Sequence, residues 1–556
     1  MKIDIKQLKH KLFAPKKRTV TISVILLLLT LFVVVHYPLA SLANRSWLGD
    51  DLLYVNLAEN LRKGTGLASD LVAWTQILSS SPTGQTIYRY QEWPTVFHPV
   101  NNVGFVYPAV LAGVFTIFSA SPPDWYFLAV IVNIIITLIV VIAASLFAFK
   151  LFDRKTAILT AFAIILLPSL YWYSLQSDPL PLFYLLLIIT FIVASKASGP
   201  KGWLLVGAFA AVAHLTHGSG ILLIGTLFLW CLVERRFKDS FFLMISYLSL
   251  MLPWFIRNQL IFGDFSLGTS IPASSIFGWF GIKYGVSTSS LAGSGVTANF
   301  TILQVLSNMY LELTNLYNMG YIVLLVFFAI CGFYWYRNKR LLTPQFIFII
   351  LSIVGYVQLA FTTNRAMPET RYLMASFIVL LPLSIYGFIK TVNVGFSKLE
   401  SRLTGLFRLK PRFNLTKMAS ISAVLLLLIV MLVSLLSFAV QLDNTNKQYA
   451  ATSDELQVAY LLKQQKPGTV LLTNEPLITY LQTGLPSMYL QSEKANVTQI
   501  EWLINRYNAS YIVIYKYQLQ PLDAQSQFNL LIASNRAVLA YSSADIRLIN
   551  VTALLT

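Results

Sequence analysis

Long apolar runs separated by short polar segments fill the first 440 residues of the chain. A helix needs about 20 apolar residues to cross the hydrocarbon core of a bilayer. By this measure the runs predict about eleven spans and an all-α polytopic membrane domain over residues 1–440. The runs are Val20–Ala40, Tyr126–Ala148, Thr156–Trp172, Leu180–Ala194, a helical hairpin within Trp203–Leu232, Phe241–Phe255, Tyr321–Tyr336, Gln345–Phe361, Tyr372–Ile389 and Ile421–Val440.

Basic residues mark one side of this arrangement. They are dense in residues 2–18, before the first run, and in residues 390–418, between the last two runs. Lys and Arg concentrate on the cytoplasmic side of membrane proteins, which predicts a cytoplasmic N-terminus. The first outer loop, 41–102, and the C-terminal region, 441–556, are then outside. The alternation holds if Val103–Ala120 does not cross, so we expect that segment to be re-entrant or a short paired helix.

Residues 441–556 have a different pattern, in which helical periodicity alternates with short β-branched or aromatic runs. We therefore expect a soluble extracytoplasmic α/β domain at the C-terminus. Its predicted helices and strands are Asp454–Gln464, Thr469–Thr473, Val497–Tyr507, Tyr511–Tyr515 and Ala537–Tyr541. The absence of a nucleophile elbow, a phosphate-binding loop or a metal-ligand spacing from its sequence favours a non-catalytic binding or stabilising role.

The composition agrees with a surface that faces lipid. Hydrophobic residues make up 56% of the 556 residues and charged residues only 12%, whereas a soluble domain has about 25% charged residues. The formal net charge of +18 does not indicate nucleic-acid binding, because the cations flank apolar runs and form no stripe on a folded domain. Cys231 and Cys331 lie within apolar runs, which favours core residues over a disulfide or a metal pair.

The first outer loop contains an amphipathic segment. Leucine recurs every four residues from Leu53 to Leu61, which predicts a helix along the membrane surface, and Gly64 is a natural stop. Asp50 and Asp51 fall at the start of this helix. One carboxylate is enough for an N-cap, so the pair leaves two hypotheses open, capping and catalysis.

Further polar residues lie at the outer ends of predicted spans. The positive-inside rule explains cations on the cytoplasmic side and therefore does not explain these residues. Asp178 precedes Pro179, a pair that also favours an ordinary helix start. Arginines can bind phosphate with two hydrogen bonds or contact lipid headgroups. The candidates for either role are Arg257, Arg365 and Arg371. The outer histidines have no zinc-like spacing, which favours structural roles for His98, His214 and His217.

Together these segments resemble the motifs of the C-type glycosyltransferases (GT-C), in particular the branch of protein O-mannosyltransferases and lipid A aminoarabinose transferase. The opening motif reads Asp50-Asp51-x-x-Tyr54-x-x-x-Ala58-x-x-Leu61-x-x-Gly64. The resemblance continues in the family's order at Ser177-Asp178, Leu215-Thr216-His217-Gly218, Pro253-Trp254-x-x-Arg257-Asn258 and Arg371-Tyr372. This chain carries His98 and His217 where the aminoarabinose branch carries lysine.

The resemblance implies a GT-C fold and transfer of a sugar from a polyprenyl- or dolichyl-phosphate carrier to a lipid, glycan or protein acceptor, with inversion at the sugar. It implies that Asp50 is the base, with Asp51 beside it, and that Asp178 is the second acidic position. Substrate and phosphate contacts would come from Tyr54, His98, His217, Arg257, Arg365, Arg371 and Tyr372. No cofactor follows from the sequence, which leaves a divalent metal open.

Three other functions compete with this hypothesis. A transporter or flippase needs polar groups near the bilayer midplane, often in repeated halves. Here the charges gather at the ends of the runs, and the sequence has no internal repeat. The other two are a glycan polymerase or ligase with a pyrophosphate-linked donor, and a non-catalytic membrane receptor that presents its C-terminal domain.

Overall fold

The structure is a computed structural model, and most of the residues that it describes are helical. The described residues are 26–37, 39, 51–69, 71–72, 98–99, 103–119, 122–262, 321–336, 342–362, 371–407, 415–448, 453–466, 469–474, 476–490, 497–515, 529–534, 536–543 and 546–554. Helices fill most of the membrane portion. Within the described residues, strands occur in the first outer loop and in the C-terminal region.

The helices before residue 449 follow the apolar runs. They are α1 (Leu26–Tyr37), α2 (Asp51–Arg62), α3 (Val106–Phe118), α4 (Pro122–Leu151), α5 (Arg154–Ile165), α6 (Pro168–Ser174), α7 (Leu180–Ala194), α8 (Gly199–Thr216), α9 (Gly220–Val233), α10 (Phe237–Phe262), α11 (Tyr321–Trp335), α12 (Thr343–Thr362), α13 (Arg371–Phe407) and α14 (Leu415–Gln448).

Several of these helices can cross a bilayer. Among the described residues, four helical stretches are long and apolar enough, and six apolar helices of 10–17 residues accompany them. The four are Asp124–Leu151, Phe237–Ile261, Leu373–Arg402 and Ser420–Ser437. The chain is therefore a multi-pass membrane protein, while the predicted number of spans stays a prediction.

Proline breaks one predicted span in two. The run Thr156–Trp172 was expected to form a single helix, but α5 ends at Ile165 and α6 begins at Pro168. A proline has no N–H to donate and disfavours helical geometry in the residue before it. Leu167 accordingly has extended backbone angles, and Pro168 takes the first position of α6.

The predicted hairpin within Trp203–Leu232 is present as α8 and α9. Its turn is tight because Gly220 has no side chain, and a Cβ at this position would overlap the backbone of His214. A similar close approach joins α11 and α13, where a Cβ on Gly387 would overlap the Phe328 carbonyl oxygen. Small residues at such crossings let membrane helices pack backbone to backbone.

The segment Val103–Ala120 forms the short helix α3. Its 13 residues span about 20 Å at 1.5 Å per residue, less than the roughly 30 Å of the hydrocarbon core. The helix packs along α2, and Tyr107, Leu111 and Phe115 form its buried side. This geometry agrees with a short paired helix.

The C-terminal region is built on a six-stranded mixed sheet. Its elements are α15 (Ser453–Lys463), β4 (Val470–Thr473), α16 (Pro476–Thr483), β5 (Ser487–Tyr489), α17 (Val497–Tyr507), β6 (Ala509–Tyr515), β7 (Val538–Ser542), β8 (Ile546–Asn550) and a 3-10 turn at Thr552–Leu554. The first outer loop adds β1 (Ala68–Ser69), β2 (Leu71–Val72) and β3 (His98–Pro99).

The strand order of this sheet is β2, β5, β4, β6, β8, β7. Strands β2, β5, β4 and β6 run parallel, and β8 and β7 add an antiparallel edge. Hydrophobic clusters cover both faces of the parallel strands, as is usual for a parallel sheet. Helix α17 contributes to the cluster on one face and α15 to the cluster on the other. The sheet therefore includes a strand, β2, from outside the predicted domain 441–556.

Candidate functional site

Helix α2 is fixed in place by its apolar side. Leu53, Leu57 and Ala58 are buried, as the repeat of leucine predicted. The helix begins at Asp51, which agrees with a predicted start at the acidic pair. Asp50 lies outside the described residues.

The last turn of α2 holds a buried carboxylate. Glu59 is almost fully buried, and its two carboxylate oxygens accept hydrogen bonds of 2.6 Å from Nε and Nη2 of Arg62. Lys63 Nζ lies 3.4 Å from Glu59 Oε1. The bond to Glu59 raises the pKa of the Arg62 guanidinium. Cations near a helix C-terminus are also favoured by the helix dipole, so this cluster stabilises the end of α2.

A buried polar network ties α2 to β1. Asn60 Nδ2 donates 2.9 Å to the Ala68 carbonyl oxygen, and Ser69 Oγ donates 3.0 Å to Asn56 Oδ1. The chain turns back through Gly64, whose φ of 81° suits glycine. Sequence reasoning missed this network, although the spacing of four between two asparagines beside an apolar stripe would have placed both on one helix face.

Two aromatic rings connect α2 with the second acidic motif. The rings of Tyr54 and Tyr107 meet edge to face, with centroids 5.5 Å apart. The Tyr107 hydroxyl lies 3.4 Å from Ser177 Oγ, next to Asp178. Tyr54 and Asp178, which are far apart in the sequence, therefore lie at one site.

Asp178 lies two residues before the first residue of α7, Leu180. Its Oδ1 accepts a 2.8 Å hydrogen bond from the Leu180 N–H, and its side chain is buried. Asn133 Nδ2 donates to the carbonyl oxygens of Gln176 (2.6 Å) and Asp178 (2.8 Å), which holds this turn against α4. The N-cap of α7 is Pro179 and has no side-chain cap bond, so Asp178 binds the first N–H of the helix from the position before the cap, and an asparagine could accept the same bond.

The histidine motif borders the same region. His217 is buried, its Nδ1 accepts a 3.2 Å hydrogen bond from the Ser219 N–H, and its ring lies 5.4 Å from that of Phe183 on α7. Gly104, at the end of the first outer loop, packs directly on the backbone of residues 215–216, because a Cβ there would overlap their carbonyl oxygens. His214, by contrast, points to Tyr247, with Nδ1 to Oη at 2.6 Å.

Arg257 holds the loop that follows α2. Its Nη2 donates 3.1 Å to the Leu67 carbonyl oxygen and its Nη1 donates 2.8 Å to Asn258 Oδ1. The guanidinium also lies over the Trp254 ring, 4.8 Å from the centroid, a favourable cation–π arrangement. These contacts give Arg257 a structural task that the sequence did not predict.

For three of the remaining predicted site residues the structure gives the backbone position, and the fourth lies outside the described part. His98 belongs to β3 and is paired with Ser69 of β1, which brings its backbone beside the network of α2. Arg371 and Tyr372 begin α13, a helix that packs against α4, α5 and α7. Arg365 lies outside the described residues.

The described residues hold no group of three or more His, Cys, Asp or Glu side chains that could bind a metal ion. Cys231 and Cys331 are free thiols on two different helices, α9 and α11.

No protein-family model and no curated protein matches this chain, but solved structures do. One is ArnT from Cupriavidus metallidurans bound to undecaprenyl phosphate, with a TM-score of 0.58 and 13% identity over 95% of this chain and 97% of ArnT. The apo state of the same protein gives 0.56 and 13%, over 97% and 99%.

A second match is the archaeal oligosaccharyltransferase AglB from Archaeoglobus fulgidus, in complex with an inhibitory peptide and a dolichol-phosphate. Its TM-score is 0.52 and its identity 13%, over 88% of this chain and 70% of AglB. ArnT, a lipid A aminoarabinose transferase, and AglB are both GT-C enzymes. At this identity the likeness concerns the fold, and it confirms the resemblance read from the motifs: the chain has the fold of the C-type membrane glycosyltransferases.

Proposed function

We propose that this protein transfers a sugar from a polyprenyl-phosphate carrier to an acceptor on the outer side of the membrane. The observation that carries the proposal is the contact chain from Tyr54 through Tyr107 to Ser177, which joins the two acidic motifs. It occurs in a chain whose fold matches ArnT over 95% of its length. The matched ArnT and AglB structures contain undecaprenyl phosphate and a dolichol-phosphate, which supports a lipid-phosphate donor.

The reaction needs two kinds of group. An acceptor hydroxyl must lose its proton as its oxygen bonds to the anomeric carbon, and the bond from that carbon to the phosphate oxygen breaks. The polyprenyl phosphate leaves with the electron pair, and attack from the opposite face inverts the sugar. A positioned carboxylate can contribute about 10²–10⁴-fold as the base, and cations stabilise the charge that develops on the leaving phosphate.

We assign the base to Asp50, with Asp51 beside it, and give Asp178 an orienting role at the second acidic position. Arg365, Arg371 and Tyr372 are proposed to bind the carrier phosphate. His98 and His217 are candidates for the same anion, and their charge would then depend on pH. Arg257 is better suited to positioning, since its guanidinium already binds the Leu67 carbonyl oxygen.

The second candidate function is a polymerase or ligase that uses a pyrophosphate-linked glycan. The contact chain at Tyr107 does not distinguish the two donors, but the phosphate carriers in both matched structures favour the first. A flippase is disfavoured because the described buried acidic side chains near the site, Glu59 and Asp178, lie in the last turn of α2 and just before α7 rather than in the middle of a helix.

The test is a donor and acceptor screen with purified protein in lipid nanodiscs. Polyprenyl-phosphate sugars and polyprenyl-pyrophosphate glycans are incubated separately with lipid, glycan and peptide acceptors, and products are identified by mass spectrometry. We expect release of polyprenyl phosphate and a new glycoside with the opposite anomeric configuration. Turnover of only the pyrophosphate donors would contradict the proposal, as would movement of the lipid across the bilayer without cleavage.

A further inference from the structure

The C-terminal region contacts the proposed site through one short helix. Helix α16 lies against α2, α4 and β2. Its Tyr480 is only 4% exposed and belongs to a buried cluster with residues of three membrane-side helices. The other members of that cluster are Val55, Ala58, Tyr107, Leu111, Ala112, Phe115, Trp125 and Ala129.

Other residues of α16 are hydrogen bonded to the C-terminal sheet. Thr479 Oγ1 is hydrogen bonded to Thr473 Oγ1 at 3.2 Å and to Tyr515 Oη at 3.3 Å. The Tyr515 hydroxyl also donates 3.2 Å to Gln482 Oε1. Hydrogen bonds therefore hold α16 on strands β4 and β6, while Tyr480 of the same helix is buried among the membrane-side helices.

A second connection runs beside the first. Strand β2 of the outer loop pairs in parallel with β5, with Leu71 opposite Ser487 and Val72 opposite Met488. Strand β2 follows β1 directly, and β1 is hydrogen bonded to α2 through Asn60 and Ser69. The C-terminal region thus contacts α2 through α16 and pairs with β2, the strand that follows α2 and β1.

We infer that Tyr480 is a positioning residue that orients α2 in the proposed site, and that the C-terminal domain is required for the transfer step itself. The cluster that receives Tyr480 includes Tyr107, the ring that links Tyr54 to Ser177. A shift of α2 would move Tyr54 and the acidic start of the helix together. Because misplacement by about 1 Å can cost 10²-fold in rate, loss of the Tyr480 ring should lower kcat.

This role predicts a specific kinetic pattern. The carrier phosphate is proposed to bind near Arg371 at the start of α13, whereas the described residues that surround Tyr480 come from α2, α3 and α4. Tyr480→Ala should therefore reduce kcat by about tenfold or more and leave the KM for the donor unchanged, because a transition-state geometry is lost rather than ground-state binding. Tyr480→Phe retains the ring and should retain the parent kcat. Tyr480→Leu, which fills most of the pocket, should fall between them.

The matched control is Tyr460, which lies on α15 of the same domain with 66% of its surface exposed. Tyr460→Ala should behave as the parent protein. Hydrogen exchange of residues 51–62 supplies a readout that needs no activity, and it should be faster in Tyr480→Ala than in the parent and Tyr460→Ala. If Tyr480→Ala does not fold, kcat and the exchange of residues 51–62 are compared between Tyr480→Leu, Tyr460→Ala and the parent protein instead.

The kinetic part of this inference rests on the proposed transfer reaction, and the two can fail separately. If the parent protein transfers no sugar, the proposed function is contradicted, and the exchange of residues 51–62 alone decides whether Tyr480 holds α2. If the parent is active, an unchanged kcat in Tyr480→Ala overturns the positioning role, and so does an equal loss in Tyr460→Ala. Reduced kcat with faster exchange of α2 supports it.

Discussion

The hydroxyl of Tyr107 lies 3.4 Å from Ser177 Oγ, across 70 positions of sequence. Tyr107 comes from the short helix after the first outer loop, and Ser177 precedes the helix that begins at Leu180. This contact, extended by the edge-to-face pair of Tyr54 and Tyr107, brings Tyr54 of the opening motif close to Ser177, the neighbour of Asp178. The proposed transfer reaction requires these residues to lie close together.

The first prediction concerns the Tyr107 ring. Tyr107→Phe loses one long hydrogen bond, worth about 0.5–1.5 kcal/mol at most, and should keep most of the transfer activity. Tyr107→Ala also removes the contact with Tyr54 and should reduce kcat by about tenfold or more. Phe118→Ala is the control, because Phe118 lies on the same helix but is 66% exposed. Equal kcat in all four proteins would exclude the ring as a connector.

A second prediction separates two arginines. Arg371→Lys keeps the charge but loses the planar fork that grips phosphate. The loss of a charge-assisted bond costs about 1.5–3 kcal/mol, so affinity for the donor should fall by about one to two decades. Arg257→Lys should leave donor affinity unchanged and lower kcat, because Arg257 holds the Leu67 carbonyl oxygen. Calorimetric binding of polyprenyl phosphate and steady-state kinetics would measure both, and the reverse ranking would exchange the two roles.

The third prediction tests the shared sheet. Leu71 and Ser487 are directly paired in parallel strands, a distance that a disulfide can bridge. A Leu71→Cys, Ser487→Cys double variant should form an intramolecular cross-link on mild oxidation, visible after proteolysis between the two positions. The control pairs Leu71→Cys with Ser542→Cys in β7, at the opposite edge of the sheet. Cross-linking of the control pair alone would contradict the strand order.

Sidedness gives the fourth prediction. Because β2 of the first outer loop and β5 belong to one sheet, residues 41–102 and 441–556 must lie on the same side of the membrane. The positive-inside rule predicts that this is the outer side and that the 390–418 loop is cytoplasmic. Single cysteines introduced into each segment, in a Cys231→Ala, Cys331→Ala background, should label from outside only in the first two. External labelling of the 390–418 loop would invert the arrangement.

Much of the helical architecture follows from local signals. The run Leu180–Ala194 and the amphipathic stretch Val497–Tyr507 form helices with the predicted bounds, since proline, glycine or polar residues limit an otherwise continuous pattern. The break at Pro168 also had a local cause, and a stricter use of proline as a helix breaker would have predicted it.

Contacts between distant segments were not predictable in the same way. Strand β2 has two residues, too few for a periodic pattern, and its partner β5 lies far along the chain. The hydrogen bond from Arg257 to the Leu67 carbonyl oxygen could not be predicted from the sequence, because every residue has a backbone carbonyl group. Tyr480 lies outside the helices and strands predicted from the sequence, and its contact with the membrane-side helices depends on how two separately patterned regions pack together.

The most direct measurement is the transfer rate of Asp50→Asn. Asparagine caps a helix about as well as aspartate, so this variant should fold and bind the donor, but it cannot accept a proton from the acceptor. We predict that kcat falls by at least about 10², and that Asp51→Asn has a smaller effect. Asp178→Asn can still accept the hydrogen bond from the Leu180 N–H and should show how much the second carboxylate contributes to the rate. Asp124→Asn, at an exposed position in the first turn of α4, should retain the parent rate. Parent-level transfer by the Asp50, Asp51 and Asp178 variants, each made singly in a well-folded protein, would contradict the carboxylate mechanism.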